Sequence, residues 1–307
     1  MQYGIAVKNV SVRTEPTMEP LRKDREDIWD RRQESRLNIG EAVQIKRLGE
    51  NWFYVISDTT AGYALADGFV ICTKAQYENR RTLFQREHRV VLKGGRNDWG
   101  KYFRAGTILP PEGATFESET YEKGRRVNRR ETWGAMGGWS IPPVIIHKSL
   151  PFSERQLLLQ MNRMLGMPYS WGDERTDGMD CSSTVRAFYA CFGVFLPRNS
   201  SEQKTYGEKL AAEGKATFFQ MERLNAGEKK KIFSALGVGA ILHMPGHVMI
   251  YAGEKNGEHR IFHNCDTYTE HGVEHIVRRC TISSFLPKMN GTYLDYLTAA
   301  WMPLCRQ

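Results

Sequence analysis

Gly178-Met179-Asp180-Cys181-Ser182-Ser183-Thr184-Val185-Arg186-Ala187-Phe188-Tyr189-Ala190-Cys191-Phe192-Gly193 reads as one amphipathic helix and its two ends. Val185, Phe188, Tyr189 and Phe192 recur at i, i+3, i+4 and i+7, which makes a single apolar face. Asp180 is a favoured cap, and Gly193 suits the stop. Cys181 then occupies the first helical position, where unpaired amides and the helix dipole favour an anion. A thiolate there is expected to have a lowered pKa, by about one unit at most. The same amides could hold the oxygen of a tetrahedral intermediate. A buried structural cysteine is the competing reading of these features. Cys191, ten residues on, lacks the terminal position and is expected to pack.

Upstream, Ser153 is a candidate cap, and Leu157, Leu158, Met161, Met164 and Leu165 follow at helical spacing before Gly166. Downstream the pattern turns to strands at Ala240 to Met244, His247 to Tyr251 and Arg260 to His263. Helices followed by strands predict an α+β domain over residues 150–307. His247 enters its strand after Pro245-Gly246, with His247, Met249 and Tyr251 on one face. Histidine at such a position is either a surface residue or the base that a cysteine nucleophile needs.

The role of His263 depends on register. A two-residue loop of Asn256-Gly257 pairs Ile250 with His263 and sends it to the face opposite His247. A three-residue loop, Lys255 to Gly257, pairs Met249 with His263 and brings the histidines to one face. The three-residue loop is expected, with positive φ at Gly257. His259, His271 and His275 compete as partners, and His243 fits either core or surface. No H-E-x-x-H spacing occurs, so neither metal nor cofactor is expected.

The first half is different in texture. Residues 1–73 read as short strands: Ile5 to Val12, then Ala42, Val43 and Ile45, then Asn51 to Ile56, Gly62 to Leu65 and Gly68 to Ile71. A charged insertion, Leu21 to Arg36, interrupts them. A second β-rich unit is expected over 74–149, with strands at Val90 to Leu92 and Thr107 to Leu109. Gly137-Gly138-Trp139 and Pro142-Pro143 read as connectors. Tyr121 to Arg130, with five basic residues and one acidic, is a solvated hairpin or an anion-binding patch.

The formal charge of +8 attracts anionic partners of any kind or simply aids solubility. No interleaved aromatic platform accompanies it, so nucleic acid is not an expected partner. No apolar run reaches about 18 residues, so no transmembrane helix is expected. The six cysteines include no C-x2-C pair. The N-terminal MQYGIAVKNV lacks an apolar leader core. It predicts a cytoplasmic protein if Met1 is the native start, and a periplasmic or cell-envelope protein if a leader precedes it. The oligomeric state is open, and a monomer is compatible with the sequence.

Met167-Pro-Tyr-Ser-Trp-Gly172, Gly178-Met-Asp-Cys-Ser-Ser183, Leu196-Pro-Arg-Asn-Ser200, Gly246-His-Val-Met-Ile-Tyr-Ala-Gly253 and Ile261-Phe-His263 together resemble the NlpC/P60 cysteine peptidases, in order and spacing. The resemblance covers about residues 150–307. It implies a papain-like α+β domain with Cys181 as nucleophile, His247 as base and His263 as the residue orienting the imidazole. Tyr169 resembles the tyrosine lining the oxyanion region. Trp171, Asp180, Ser182 and Ser200 resemble residues around the substrate groove. Val10-Ser-Val-Arg-Thr-Glu-Pro16, Gly49-Glu-Asn-Trp-Phe-Tyr-Val55 and Gly62-Tyr63 resemble a bacterial SH3 domain. The implied chain is multidomain: two small all-β SH3-like barrels, then the catalytic domain. Such a first barrel would border the groove, with Trp52 and Tyr54 as contacts or as barrel core.

Relatives of this architecture cleave the γ-D-glutamyl-diamino acid bond, usually to meso-diaminopimelate, in peptidoglycan stem peptides. Some are recycling enzymes that require a free N-terminal L-alanine and carry aspartate where this chain has Asn199. An amide cannot supply that charge-assisted contact, although Glu202 lies three residues away. The expected substrate is therefore cell-wall peptidoglycan, with free stem peptides the alternative. The other readings are a non-catalytic cell-wall binding protein and an amidase or acyltransferase acting on another amide.

Overall fold

The computed structural model describes residues 2–24, 27–48, 51–85, 88–97, 100–110, 115–122, 125–132, 145–146 and 149–304. The connectors Gly137-Gly138-Trp139 and Pro142-Pro143 lie outside the described residues, as do Gly49, Glu50, Pro111, Lys123, Gly124 and Cys305. Two compact units emerge. One holds residues 1–149 and 171–177, the other residues 150–170 and 178–307.

The first unit is predominantly β. Its leading strands are β1 (Gln2–Ala6), β2 (Val10–Arg13), β3 (Gln33–Leu37), β4 (Ala42–Leu48), β5 (Trp52–Ile56), β6 (Ala61–Leu65) and β7 (Phe69–Cys72). Helix α1 (Lys74–Arg81) follows, opened by a Thr73–Gln76 capping box. Then come β8 (Arg89–Val91), β9 (Gly95–Arg96), β10 (Tyr102–Phe103), β11 (Ile108–Leu109), β12 (Thr115–Glu122), β13 (Arg125–Thr132) and β14 (Ile145–Ile146). Nine strands share one sheet in the order β13-β12-β7-β1-β4-β5-β6-β2-β3. The Tyr121 to Arg130 segment is a hairpin, with Glu117 across from Arg130 and Tyr121 across from Arg126.

The single strand expected over Ile5 to Val12 is two strands, broken at residues 7–9. The charged insertion ends in β3, whose inward residues are mostly polar: Gln33 and Ser35 are buried beside Leu37. Polar inward residues hide a strand from a hydrophobic-alternation reading. They sit beside a buried ion pair, Arg13 Nη2 to Asp30 Oδ2 at 2.6 Å. In β5 the core residues are Phe53 and Val55, while Trp52 and Tyr54 are half-buried on the opposite face. Trp52 and Tyr54 are therefore not core.

Residues 171–177 belong to this first unit through contacts with its strands. Gln33 Nε2 donates to the Gly172 carbonyl at 3.1 Å, and Arg36 Nε to the Asp173 carbonyl at 2.7 Å. Arg104 and Asp173 form a second buried ion pair at 2.9 Å. Gly172 has φ +55, and a Cβ there would lie 2.5 Å from the Gln33 carbonyl oxygen, so the turn requires glycine.

The second unit is α+β. It contains α2 (Glu154–Met164), α3 (Cys181–Ala190), α4 (Ser200–Ala212), β15 (Ala216–Gln220) and α5 (Ala226–Leu236). The remaining strands are β16 (Ile241–Met244), β17 (His247–Lys255), β18 (Glu258–Glu270), β19 (Val273–Ser283), β20 (Pro287–Lys288), β21 (Gly291–Thr292) and β22 (Ala299–Pro303). Six form an antiparallel sheet in the order β15-β22-β16-β17-β18-β19. The apolar face of α3 packs on it, with Phe188 5.7 Å from Phe262 between ring centroids. Each such buried side chain stabilises by about 1.5–3 kcal/mol. No helix among the described residues is long and apolar enough to cross a membrane.

Helix α4 approaches β22 through Gly207. A Cβ at Gly207 would lie 2.6 Å from Trp301 Cδ2. Trp301 is fully buried and held by Nε1 donating to His243 Nε2 at 3.0 Å. Gly207→Ala is thus expected to destabilise the chain by about 1–3 kcal/mol, despite alanine's higher helix propensity. An unchanged urea midpoint would show that the indole can move aside.

Candidate active site

Cys181 is the first residue of α3, as the Asp180 cap predicted. Asp180 Oδ1 accepts from the Ser183 amide at 2.9 Å and from Ser182 Oγ at 3.0 Å. Arg198 closes the other side with a buried two-pronged ion pair. Its Nη2 reaches Asp180 Oδ2 at 2.6 Å and its Nη1 reaches Oδ1 at 3.1 Å. Nη1 also donates to Ser182 Oγ at 2.9 Å. Gln203 Nε2 donates to the Ser182 carbonyl at 3.0 Å. Asp180 and Ser182 are therefore engaged in holding the start of α3.

Asn264 of β18 anchors the same region. Its Nδ2 donates to the Met179 carbonyl at 2.8 Å and to Thr184 Oγ1 at 3.2 Å. Arg198 and Asn264 were not singled out from sequence. Arg198 sits inside the quoted Leu-Pro-Arg segment, but no local pattern announces a buried guanidinium. Asn264 follows His263 directly, so a polar pair in the middle of an apolar strand was a usable signal.

His247 begins β17 immediately after the Pro245-Gly246 turn, where Gly246 has φ +76. His263 lies in β18, and its Nδ1 is 3.0 Å from His247 Nε2. The two histidines share a face, as expected, but by another route. The loop has two residues, Asn256 at φ +55 and Gly257 at φ +79, with Lys255 paired to Glu258. A bulge between Tyr251 and Gly253 then shifts the register by one, so Ile250 pairs with Phe262. Positive φ at Gly257 is present; the three-residue loop is not.

His263 Nε2 lies 3.1 Å from Ser283 Oγ on β19. Tyr293 packs edge-on against both rings, at 5.6 and 6.0 Å between centroids. The competing histidines are elsewhere. His259 Nδ1 lies 2.9 Å from Tyr251 Oη, His275 stacks on Tyr268, and His243 is a core residue under Trp301. His271 has φ +51 in the β18–β19 turn. Cys191 is buried, its Sγ–H donating to the Ala187 carbonyl.

Electrostatics change one expectation. Burial pushes the half-buried Cys181 thiol up to about 12, and the Asp180 charge adds to this. The Val248 and Ser182 amides and Arg198 pull it down, more weakly. The expected lowering by the helix end is thus outweighed by desolvation. Burial, then Lys288, also lowers His247 to about 4. Each charge is opposed singly, so the resting pair is a neutral thiol beside a neutral imidazole. The Val248 amide contacts the sulfur, which puts Cys181 against the residue next to His247. A proton passing from sulfur to imidazole would create both charges together, each offsetting the other.

Tyr169 is half-buried near Cys181 and Asp180, and burial raises its hydroxyl well above the ordinary tyrosine range. It therefore stays protonated and able to donate. Trp171 lies in the 171–177 segment under the Arg31 guanidinium, 5.0 Å from its ring. Asn199 caps α4 and Ser200 is its first residue. The Asn199 amide donates to Glu202 Oε2 at 3.2 Å, so both groups weighed as ammonium partners serve the helix end.

Comparison with known proteins agrees with this geometry. Residues 166–280 match the NlpC/P60 family. A 59-residue stretch is 41% identical to the bifunctional muramidase/DL-endopeptidase CwlT of Bacillus subtilis, covering 18% of each chain. An 85-residue stretch is 29% identical to the γ-D-glutamyl-L-lysine dipeptidyl-peptidase of Bacillus cereus, covering 26% of this chain and 25% of that one. The matches thus span a quarter or less of these relatives' lengths. The structure of an NlpC/P60 endopeptidase from Photobacterium damselae subsp. piscicida superposes with a TM-score of 0.74 at 16% identity, over 98% of this chain and 73% of that one. That likeness extends over the all-β N-terminal region as well as the α+β unit. The chain carries a domain of the NlpC/P60 family at residues 166–280, preceded in sequence by an all-β region.

Proposed function

We propose that this chain is a cysteine endopeptidase that cleaves the γ-D-glutamyl-diamino acid amide bond of peptidoglycan stem peptides, in the cell wall outside the cytoplasmic membrane. The observation that carries the reading is a thiol at a helix N-terminus beside a strand-borne His247–His263 pair. In the mechanism, His247 takes the Cys181 proton as sulfur attacks the amide carbon. The Ser182 amide and the Tyr169 hydroxyl are the proposed donors to the oxygen that becomes negative. His247 returns the proton to the leaving amine, and the C–N bond breaks. Water, deprotonated by His247, then hydrolyses the thioester and frees the Cys181 thiol.

The two relatives are named as a muramidase/DL-endopeptidase and as a γ-D-glutamyl-L-lysine dipeptidyl-peptidase. Two forms of substrate follow for this chain: intact wall, and free stem peptides with an N-terminal L-alanine. Asn199 and the engagement of Glu202 in the α4 cap support the first. The two SH3-like modules, residues 1–73 and 74–149, are proposed as the parts that recognise the wall around the bond.

Wild type and Cys181→Ala should be incubated with purified sacculi and with free L-Ala-γ-D-Glu-diaminopimelate. Wild type is expected to release peptides from sacculi in preference to cleaving the free peptide, and Cys181→Ala to release none. Equal product from the two proteins would end the reading. Cleavage of the free peptide alone would replace it with the recycling one.

A further inference from the structure

The hydrogen bonds around His263 determine where protons sit. Ser283 Oγ is 2.7 Å from the Ser284 carbonyl oxygen and 3.1 Å from His263 Nε2. A serine hydroxyl has one proton, and a carbonyl oxygen can only accept. The Ser283 proton therefore goes to Ser284, and Ser283 Oγ accepts from His263. His263 Nε2 must carry a hydrogen. His263 is fully buried, and burial, followed by the neighbouring His247, keeps its ring neutral. Its Nδ1 is then a bare lone pair. His247 Nε2, 3.0 Å away, must donate to it. His247 is neutral as well, so its lone pair lies on Nδ1, the nitrogen not occupied by His263.

We propose that Ser283 is a positioning residue: by accepting from His263 Nε2 it sets the tautomers of both histidines and leaves His247 Nδ1 bare to receive the Cys181 proton. Without that acceptor, His263 can hold its hydrogen on Nδ1. It would then present a donor to His247, which would answer with a bare Nε2 and a protonated Nδ1. The nitrogen left for the sulfur would be blocked. The catalytic half of this proposal rests on the peptidase reading above; the tautomer assignment does not.

Ser283 is half-buried, so water will fill the gap in Ser283→Ala. Water both donates and accepts, which removes the tautomer preference without reversing it. The expected result is a kcat lower by about twofold, since equal tautomers leave about half of the rings in the reactive form. KM should stay unchanged, since Ser283 needs no contact with substrate. Ser283→Thr keeps a hydroxyl and should recover most of the rate. Independently of substrate, nitrogen-15 spectra should show both rings of the wild type as Nε2–H tautomers and a mixture in Ser283→Ala.

A wild-type spectrum with His263 as the Nδ1–H form would overturn the proposal even if the alanine variant fails to fold. So would an unchanged kcat in Ser283→Ala, or a loss in Ser283→Thr equal to that in alanine. Nε2–H spectra in a protein that hydrolyses no stem peptide would overturn the catalytic half and leave the tautomer assignment standing.

Discussion

Arg198→Ala is expected to lower the unfolding free energy of the second unit by about 3–5 kcal/mol, the usual result of removing one partner from a buried ion pair. Against a typical domain stability of about 5–15 kcal/mol, that is from about a fifth to the whole of it. The side chain of Arg198 is 2% exposed and that of Asp180 11%. Without the guanidinium, a carboxylate remains at the head of α3 facing the Ser183 amide and the Ser182 hydroxyl, both neutral donors. Arg198→Lys should fare better than alanine but below wild type, because one ammonium cannot span both carboxylate oxygens and Ser182 Oγ. The double variant Asp180→Asn/Arg198→Met should recover part of the loss, since asparagine still caps Ser183 and no charge is stranded. Urea unfolding of the four proteins checks this. A loss below about 1 kcal/mol in Arg198→Ala would mean that the pair is better solvated than its burial indicates.

Acid should unfold the second unit well above the pH at which its carboxylates titrate. Three imidazoles are buried in it. Burial, then Lys204, pushes His243 down to about 3, and His247 is held near 4. His263 lies well below the ordinary value. Each folded-state value is below that of an unfolded histidine, so the unfolded chain binds more protons as pH falls. Stability is complete above about pH 6.5 and is lost as pH drops toward the folded values. Linkage gives about 2 kcal/mol at pH 5 for each of His243 and His247, and His263 adds in the same direction. Together they offset a large part of an ordinary domain's stability. His243→Gln, which keeps an acceptor for Trp301 Nε1, should reduce the pH slope by about a third. Urea midpoints that stay level between pH 7 and pH 5 would show that the rings take up protons in the folded state as readily as in the unfolded one.

The helix of Cys181 was legible because its information is local: a cap, a four-residue apolar stripe and a terminal glycine lie within sixteen consecutive positions. His247 was legible for the same reason, standing where Pro-Gly meets an alternating run. Arg198 was not, because whether an arginine is buried depends on a carboxylate eighteen residues away. Ser283 was not, because one serine near the end of a strand has no signature until the strand is aligned with its neighbour. Strand β3 escaped because its inward side is mainly polar. The SH3 resemblance left Trp52 and Tyr54 as groove contacts or barrel core, whereas alternation in β5 gives the interior to Phe53 and Val55. Residues 171–177 sit inside the family motif in sequence, yet their partners are Gln33, Arg36 and Arg104. Chain order carries no trace of that allegiance.

The surplus residue at Ala252 has a consequence for how this hairpin can vary. Thirteen residues separate Met249 from His263. An odd number cannot close as regular pairs around a two-residue turn, so one residue must stand out of the ladder, and the chain puts it between Tyr251 and Gly253. A single deletion anywhere in that span makes the number even, and straightening the kink absorbs it with His263 still opposite Met249. An insertion makes the number even as well, and one placed in β18 between Arg260 and Ile261 would give Ala252 a partner. The arm beyond the histidines can therefore shed one residue, or gain one opposite Ala252, with His263 kept in place.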